Sequence, residues 1–459
     1  MHVKMADMKQ RFSRRHFHRL VATSLSVAAA ATVDAAYNRS PQPPQGTQPA
    51  PRPSIESHPK ETISVSTSVS TYIKSIREFG VLPTNPPGKN REALQKGIDW
   101  AAERGAALFV DPSDDPYGID SGVILRRNAS LIGVHGPVGR GTRHPTRPQP
   151  VGSVFQITDP QHPFITVEAA TQLRGLQFWY PEQTIADPSR IIKYPPTIQV
   201  SQTSPAQGVT LSCLTFYGEY QTMDFNAQRE FVCEQILCEH CYGYPLGGEF
   251  IRIDYCYDIP RILHCHVNPA NQRFIRGGLA REVIDAVVAA QTFTYAINHT
   301  DNAQMMDVFT FGAYGGMYLG LATYGQLTNF NLDCVAVGLH KLGDGPFNRN
   351  WQIGQGSIIA NLGSRVEDIH PIIVEGQGHT ALSNVESFSG KNAALTALGQ
   401  SYDFLSVRGD QKLTVSLFGS RMRNYVATEP ITNTNPQAII QAVACIDKDE
   451  NPYNRTIKP

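Results

Sequence analysis

Leu173-Arg-Gly-Leu176-Gln-Phe178 carries apolar residues at its first, fourth and sixth positions. The same order returns at Leu211-Ser-Cys-Leu214-Thr-Phe216, Cys233-Glu-Gln-Ile236-Leu-Cys238 and Ile262-Leu-His-Cys265-His-Val267. It is found again at Met306-Asp-Val-Phe309-Thr-Phe311 and Leu327-Thr-Asn-Phe330-Asn-Leu332. The last three positions alternate as a strand does, and the free pair holds residues that tolerate a bend, such as Gly175, Ser212 and Asn329. A shorter alternating strand precedes several copies: Phe164–Val167, Thr197–Val200, Thr222–Phe225 and Phe250–Ile253. Strand, bend and strand returning after 22 residues (211 to 233) or 21 (306 to 327) make one coil of a parallel β-helix. Wider intervals, 38 residues (173 to 211) and 44 (262 to 306), leave room for loops inserted into a coil. A β-sandwich would need tight Asn-Gly or Gly-rich hairpin turns, which are scarce here.

The chain has 459 residues, and nothing between 75 and 445 reads as a linker. A solenoid grows by adding coils to one core, so a single long domain is the simpler expectation. At the amino end, Ser13-Arg14-Arg15-His16-Phe17 precedes an apolar run, Leu20–Ala31, too short to span a bilayer, and then the small residues around Ala35. This resembles a twin-arginine export signal over residues 1–35, with a generic secretory leader as the alternative, and places the mature protein in the periplasm or outside the cell. Residues 36–62, rich in Pro, Gln and Ser, read as a disordered tether. Of the 40 basic and 40 acidic side chains, six and two lie in residues 1–35, so the remainder carries 34 and 38, a formal charge of −4. With no basic stripe, a nucleic-acid partner is not expected, and no later apolar run is long enough for a membrane span. Of the eight cysteines, Cys213, Cys233, Cys238 and Cys265 fall on or beside inward strand positions, which favours mostly buried thiols; one bridge among Cys238, Cys241, Cys256 and Cys265 stays open.

Ile76–Val81 reads as a strand ending at Gly80, and Asn90 as the cap of a helix from Arg91 to Arg104 that Gly105 stops. Strands follow at Ala107–Val110, Val123–Leu125 and Leu131–Gly133. Phe79-Gly80, Ala93-Leu94-Gln95, Ile98-Asp99-Trp100-Ala101, Pro112, Tyr117 and Leu131-Ile132-Gly133 together resemble the opening of pectate-lyase-superfamily proteins, also called rhamnogalacturonase- or epimerase-like. That resemblance implies an all-β, right-handed parallel β-helix whose open end is covered by the helix. The Gly-Asp-Gly loop usual after Phe-Gly is replaced by Leu82-Pro-Thr-Asn-Pro-Pro87, so a function located there does not carry over. The expected organisation is a cap with the first coils over 63–150, the β-helix over 151–445, and a frayed tail at 446–459.

Residues that alternate with the inward ones point outwards and line one face with polar side chains. Such a groove suits a linear polysaccharide, the expected partner, with Trp179, Tyr180 and Tyr217 placed to stack on sugars and His266 and Arg261 to bind them. Glycoside hydrolysis needs an acid and a base or nucleophile, both carboxyl groups. Asp224, Asp254 and Asp258 supply candidates, with Asp301 from the next coil and Arg252 beside them. A lyase would instead neutralise a uronate and remove its C5 proton, with Arg252 or Arg261 as base and calcium on Asp224 and Asp254. A glycan-binding surface without catalysis is the reading from another class. Cys238-Glu-His240-Cys241 and His264-Cys265-His266 have zinc-ligand types, but strand alternation sends Cys238 and Cys265 inwards and His266 outwards. No metal site is therefore expected there. The aspartate and histidine motifs of polygalacturonases are absent.

Overall fold

A left-handed backbone bend repeats up one edge of the molecule. Gly175, Cys213, His240, His264, Asp307, Asn329, Gln355, Asn384, Gly419 and Ala444 all have φ between 51° and 67°. The flanking strands stack them one above another in consecutive coils. This conformation costs a non-glycine residue about 1–2 kcal/mol. It persists because the bent residue still bonds to the next coil: Cys213 N donates to Glu239 O at 3.1 Å and His264 N to Met306 O at 2.9 Å.

The computed structural model describes residues 72–137, 142–184, 186–272, 274, 279–343, 350–360, 369–387, 402–423 and 425–458. They belong to one unit, Ser68–Pro459. The leader and the tether expected over 1–62 lie outside the described residues.

The architecture is a right-handed parallel β-helix. Each coil runs through sheet 1, turns, passes along sheet 2, bends at the left-handed residue, and returns through sheet 3. In one coil these pieces are Met223–Asn226, then Cys233–Glu234 and Leu237–Glu239, then Tyr242–Gly243, with Ile251–Asp254 opening the next. Among the described residues sheet 1 has 11 parallel strands, from Val123–Leu125 to Ile431–Asn433, spaced by about 4.8 Å. Two insertions leave sheet 3 and return to the start of sheet 1: residues 181–196, and 268–292 with the helix Arg281–Ala289. They touch where that helix meets the turn Pro188–Arg190.

Inward residues fill the bore. Phe178 stacks on Phe216 at 5.0 Å and 11°, and Phe250 meets Phe216 and Tyr295 edge-on at 6.2 Å. Register corrects two copies of the repeat. The true counterpart of Leu211 is Cys238, 27 residues on (211 to 238), because Cys233–Cys238 straddles an earlier bend at Gln235. At the next insertion the inward set is Met305, Val308 and Thr310, one residue before the expected Met306, Phe309 and Phe311. Apolar residues occupy both faces there, so alternation alone does not choose between them. Met306 is 38% exposed and Met305 is buried.

The cap helix spans Pro87–Arg104 and ends at Gly105 (φ 60°), burying Leu94, Ile98 and Ala101. Asn90 lies inside it, fully buried, and does not cap it. Its Nδ2 donates to Leu82 O (2.8 Å) and Gly118 O (2.9 Å), tying the Pro-rich loop to the first coil. The segment before the loop is a strand, Ile73–Ser75, followed by a 3₁₀ turn, Ile76–Phe79, rather than one strand. At the far end the expected frayed tail instead forms a strand, Pro452–Ile457, pairing antiparallel with Ala438–Ile446 and covering its edge. None of the eight cysteines is in a disulfide, and all but Cys334 are buried. No helix among the described residues is long and apolar enough to cross a membrane.

Candidate functional site

In Met223–Asn226 and Ile251–Asp254 the inward residues Met223, Phe225, Ile251 and Ile253 are buried, which turns Asp224, Asn226, Arg252 and Asp254 to the outer face of sheet 1. Register sets Asp224 beside Arg252 and Asn226 beside Asp254. One strand spacing across and two residues along puts the Cβ atoms of Asp224 and Asp254 about 8 Å apart. The sequence pairing of these two aspartates with Arg252 is therefore realised on one face.

Their surroundings differ. Burial pushes the Asp224 carboxyl above its usual range, Arg252 and the Asn226 N–H draw it back, and Asp254 adds to the rise. The Asn226 N–H donates to Asp224 Oδ1 at 2.9 Å. Asp254 Oδ1 accepts from the Tyr255 N–H at 2.9 Å and faces His299 Nδ1 at 2.8 Å. The His299 ring lies flat on Tyr255, 4.6 Å between centroids and 3° between planes. Glu249 completes the group: burial raises its carboxyl, Arg252 opposes this, Asp224 reinforces it, and Gln221 Nε2 donates to Oε2 at 2.9 Å.

Glu249 and His299 were not legible in the sequence. His299 follows the end of a sheet 1 strand whose neighbour ends at Asp254, and counting rungs across the long insertion would have found it. Beyond Arg252 the same outward row continues through Ala296, Tyr318 and His340.

Several expected site residues are placed elsewhere. Asp258 is exposed at the bend between the two strand pieces of sheet 2 (φ 47°), where it accepts a hydrogen bond from Gln235. Arg261 points outwards from sheet 2 and donates to Ile259 O, and His266 sits on sheet 3, stacked on Phe309 at 4.3 Å. Asp301 falls in the irregular stretch between Thr300 and Ala303, beyond the turn that follows sheet 1. The proposed sugar platforms are closed off. Tyr180 is 1% exposed, its hydroxyl on Thr197 at 2.8 Å and its ring on Tyr194 at 4.5 Å. Tyr217 is buried, donating to Gln177 Oε1 at 3.0 Å and packed edge-on against Phe274. Trp179 pairs in register with Tyr217 on sheet 3, not on sheet 1. In each case the outward position is covered by an inserted loop or belongs to another face, which alternation along one strand does not reveal.

Among the described residues no group of three or more His, Cys, Asp or Glu gathers as a metal site. His240 and His264 stack as parallel rings at 4.8 Å, and His264 Nδ1 meets Asp307 at 2.9 Å, an exposed ladder along the bend.

No family model matches the chain, and no curated protein matches it. Among solved structures it is similar to the A-module of the Azotobacter vinelandii mannuronan C-5 epimerase AlgE6, at 13% identity and a TM-score of 0.43, covering 82% of this chain and 99% of that one. It is similar to tailspike protein 3 of bacteriophage CBA120, at 12% identity and a TM-score of 0.41, covering 82% of this chain and 57% of the tailspike. It is also similar to DFA-IIIase from Arthrobacter chlorophenolicus A6, at 10% identity and a TM-score of 0.36, covering 82% and 94% of the two chains.

Proposed function

We propose that the protein is an exported glycoside hydrolase acting on a polysaccharide laid along sheet 1, with Asp224 as general acid and Asp254 as general base. The carrying observation is the in-register group Asp224, Arg252 and Asp254, whose two carboxyl groups have unlike surroundings. Burial raises the Asp224 carboxyl, which favours its protonated form as donor to the leaving-group oxygen. Asp254, held by the Tyr255 N–H and His299, is oriented to take a proton from water. With their Cβ atoms about 8 Å apart on one face, the two side chains leave room for a water between their carboxyl groups, as inverting enzymes require. Arg252 lies directly beside Asp224 and two residues from Asp254, where it steadies the negative charge of the group.

The second reading, β-elimination on a uronate, is favoured by one observation: the Asp254–His299 pair is also a competent proton acceptor. Calcium fits this group poorly, since Arg252 directly neighbours the acids that would bind it, so no step is routed through a metal. The test is turnover of a polysaccharide panel by the purified protein, with and without calcium, scored for reducing ends and for the ultraviolet absorbance of an unsaturated uronide. New reducing ends without that absorbance, lost in both Asp224→Asn and Asp254→Asn, support hydrolysis. Unsaturated product transfers the site to the lyase reading. Retention on a glycan without turnover leaves a binding protein.

A further inference from the structure

We infer that the subsite next to the aspartates takes an uncharged sugar, seated over Ala296 and stacked on Tyr318. This rests on the proposal that sheet 1 holds a polysaccharide, and it goes with the hydrolase reading rather than with the lyase reading, which needs a uronate. In the outward row, Arg252, Ala296 and Tyr318 are consecutive rungs, so Tyr318 stands about 10 Å from Arg252 with only a methyl group between them. In the neighbouring row, Asp254, Asn298 and Gly320, the Asn298 amide folds over Gly320, whose Cβ would lie 1.9 Å from Asn298 Oδ1, and accepts from the Leu321 N–H at 3.2 Å, so a polar edge runs beside Ala296. The result is a shallow seat, one sugar wide, bounded by the charged group on one side and an aromatic ring on the other.

That ring is held in place. Tyr318 meets His340 edge-on at 5.5 Å and 82°, and packs at 5.3 Å against Phe293, which is itself braced edge-on by Tyr314. Gly315 has no side chain where the Phe293 ring passes; a Cβ there would be 2.2 Å from it. A ring fixed this way loses little further entropy when a sugar covers it. Tyr318 remains partly exposed.

Charge decides the class of sugar. Asp224, Glu249 and Asp254 surround Arg252, and the adjacent turn adds Arg229 and Glu230, which cancel. Three carboxyl groups thus face one guanidinium, and the His299 ring is itself engaged by Asp254 Oδ1 at 2.8 Å, so acidic groups outnumber Arg252 on this face. A polyuronate, with a carboxylate on each sugar, gains no net attraction here, whereas a neutral glycan loses nothing.

The experiment is affinity electrophoresis of the charge-conserving variant Asp254→Glu in native gels containing neutral polysaccharides or polyuronates. Retardation by a neutral polymer, insensitive to added salt, is expected, with none by polyuronates. Adding Tyr318→Ala should weaken it about tenfold, while Tyr318→Phe keeps it. Tyr318→Leu preserves apolar bulk and should behave as Ala does, which separates loss of stacking from loss of folding. Retardation by polyuronate alone, by no neutral polymer, or undiminished in Tyr318→Leu overturns the inference. Tyr318-dependent binding with no turnover by the native protein would sink the hydrolase proposal and leave this inference standing.

Discussion

Glu219 lies in the turn between sheets 3 and 1, fully buried, and burial raises its carboxyl from 4.5 to about 7. Its Oε1 accepts from the Tyr244 N–H at 2.6 Å and its Oε2 from Gln272 Nε2 at 3.2 Å, contacts that oppose the rise without cancelling it. Ionising it inside the fold therefore costs roughly 3 kcal/mol relative to the unfolded chain. Between pH 4.5 and about 7 the native state binds more protons than the unfolded state, so stability falls as pH rises through that window and is level on either side. Glu219→Gln removes the titration. It also sets an amide donor against Gln272 Nε2, a pH-independent loss of about 1 kcal/mol. The variant should be slightly less stable than the native protein near the lower end of the window and about 2 kcal/mol more stable above it, with the curves crossing between. Urea unfolding read by tryptophan fluorescence at several fixed pH values, with reductant present for the thiols, measures this. A difference between the two proteins that is constant across pH would refute the assignment of a protonated Glu219.

Phe216→Ala empties the middle of the aromatic stack between Phe178 and Phe250 and should cost about 3–5 kcal/mol in denaturant unfolding. Asn329→Val forces a β-branched residue into an exposed bend at φ 53° and should cost about 1–2 kcal/mol, whereas Asn329→Gly should be close to neutral; paired melting curves decide. Asp254→Asn should lower kcat by about 10²–10⁴-fold with little change in the melting curve. His299→Gln, which keeps a donor near Asp254, should lose less than His299→Leu, and a pH–rate profile unmoved by either variant would remove His299 from the site.

The repeat was legible because each coil buries its own inward residues, and burial writes period-2 alternation into short segments such as Leu211–Phe216. The cap helix was legible from the spacing of Leu94, Ile98 and Ala101, although Asn90 proved to be a buried clasp for the loop rather than a cap. Where apolar residues fell on both faces, as at Met305–Phe311, the sequence admitted two registers and the stacked hydrogen bonds chose one.

By itself the sequence determined the solenoid, its bends and the aspartates of one outward face, since each depends on residues close together along the chain. Only the tertiary structure decided which outward residues share a rung: it joined His299 and Glu249 to Asp224 and Asp254, and set Tyr318 beyond Ala296. It also closed Tyr180 and Tyr217 beneath inserted loops. The physical reason is that neighbours across a coil are separated by insertions of unequal length, and backbone hydrogen bonding between coils, not spacing along the chain, fixes which side chains meet.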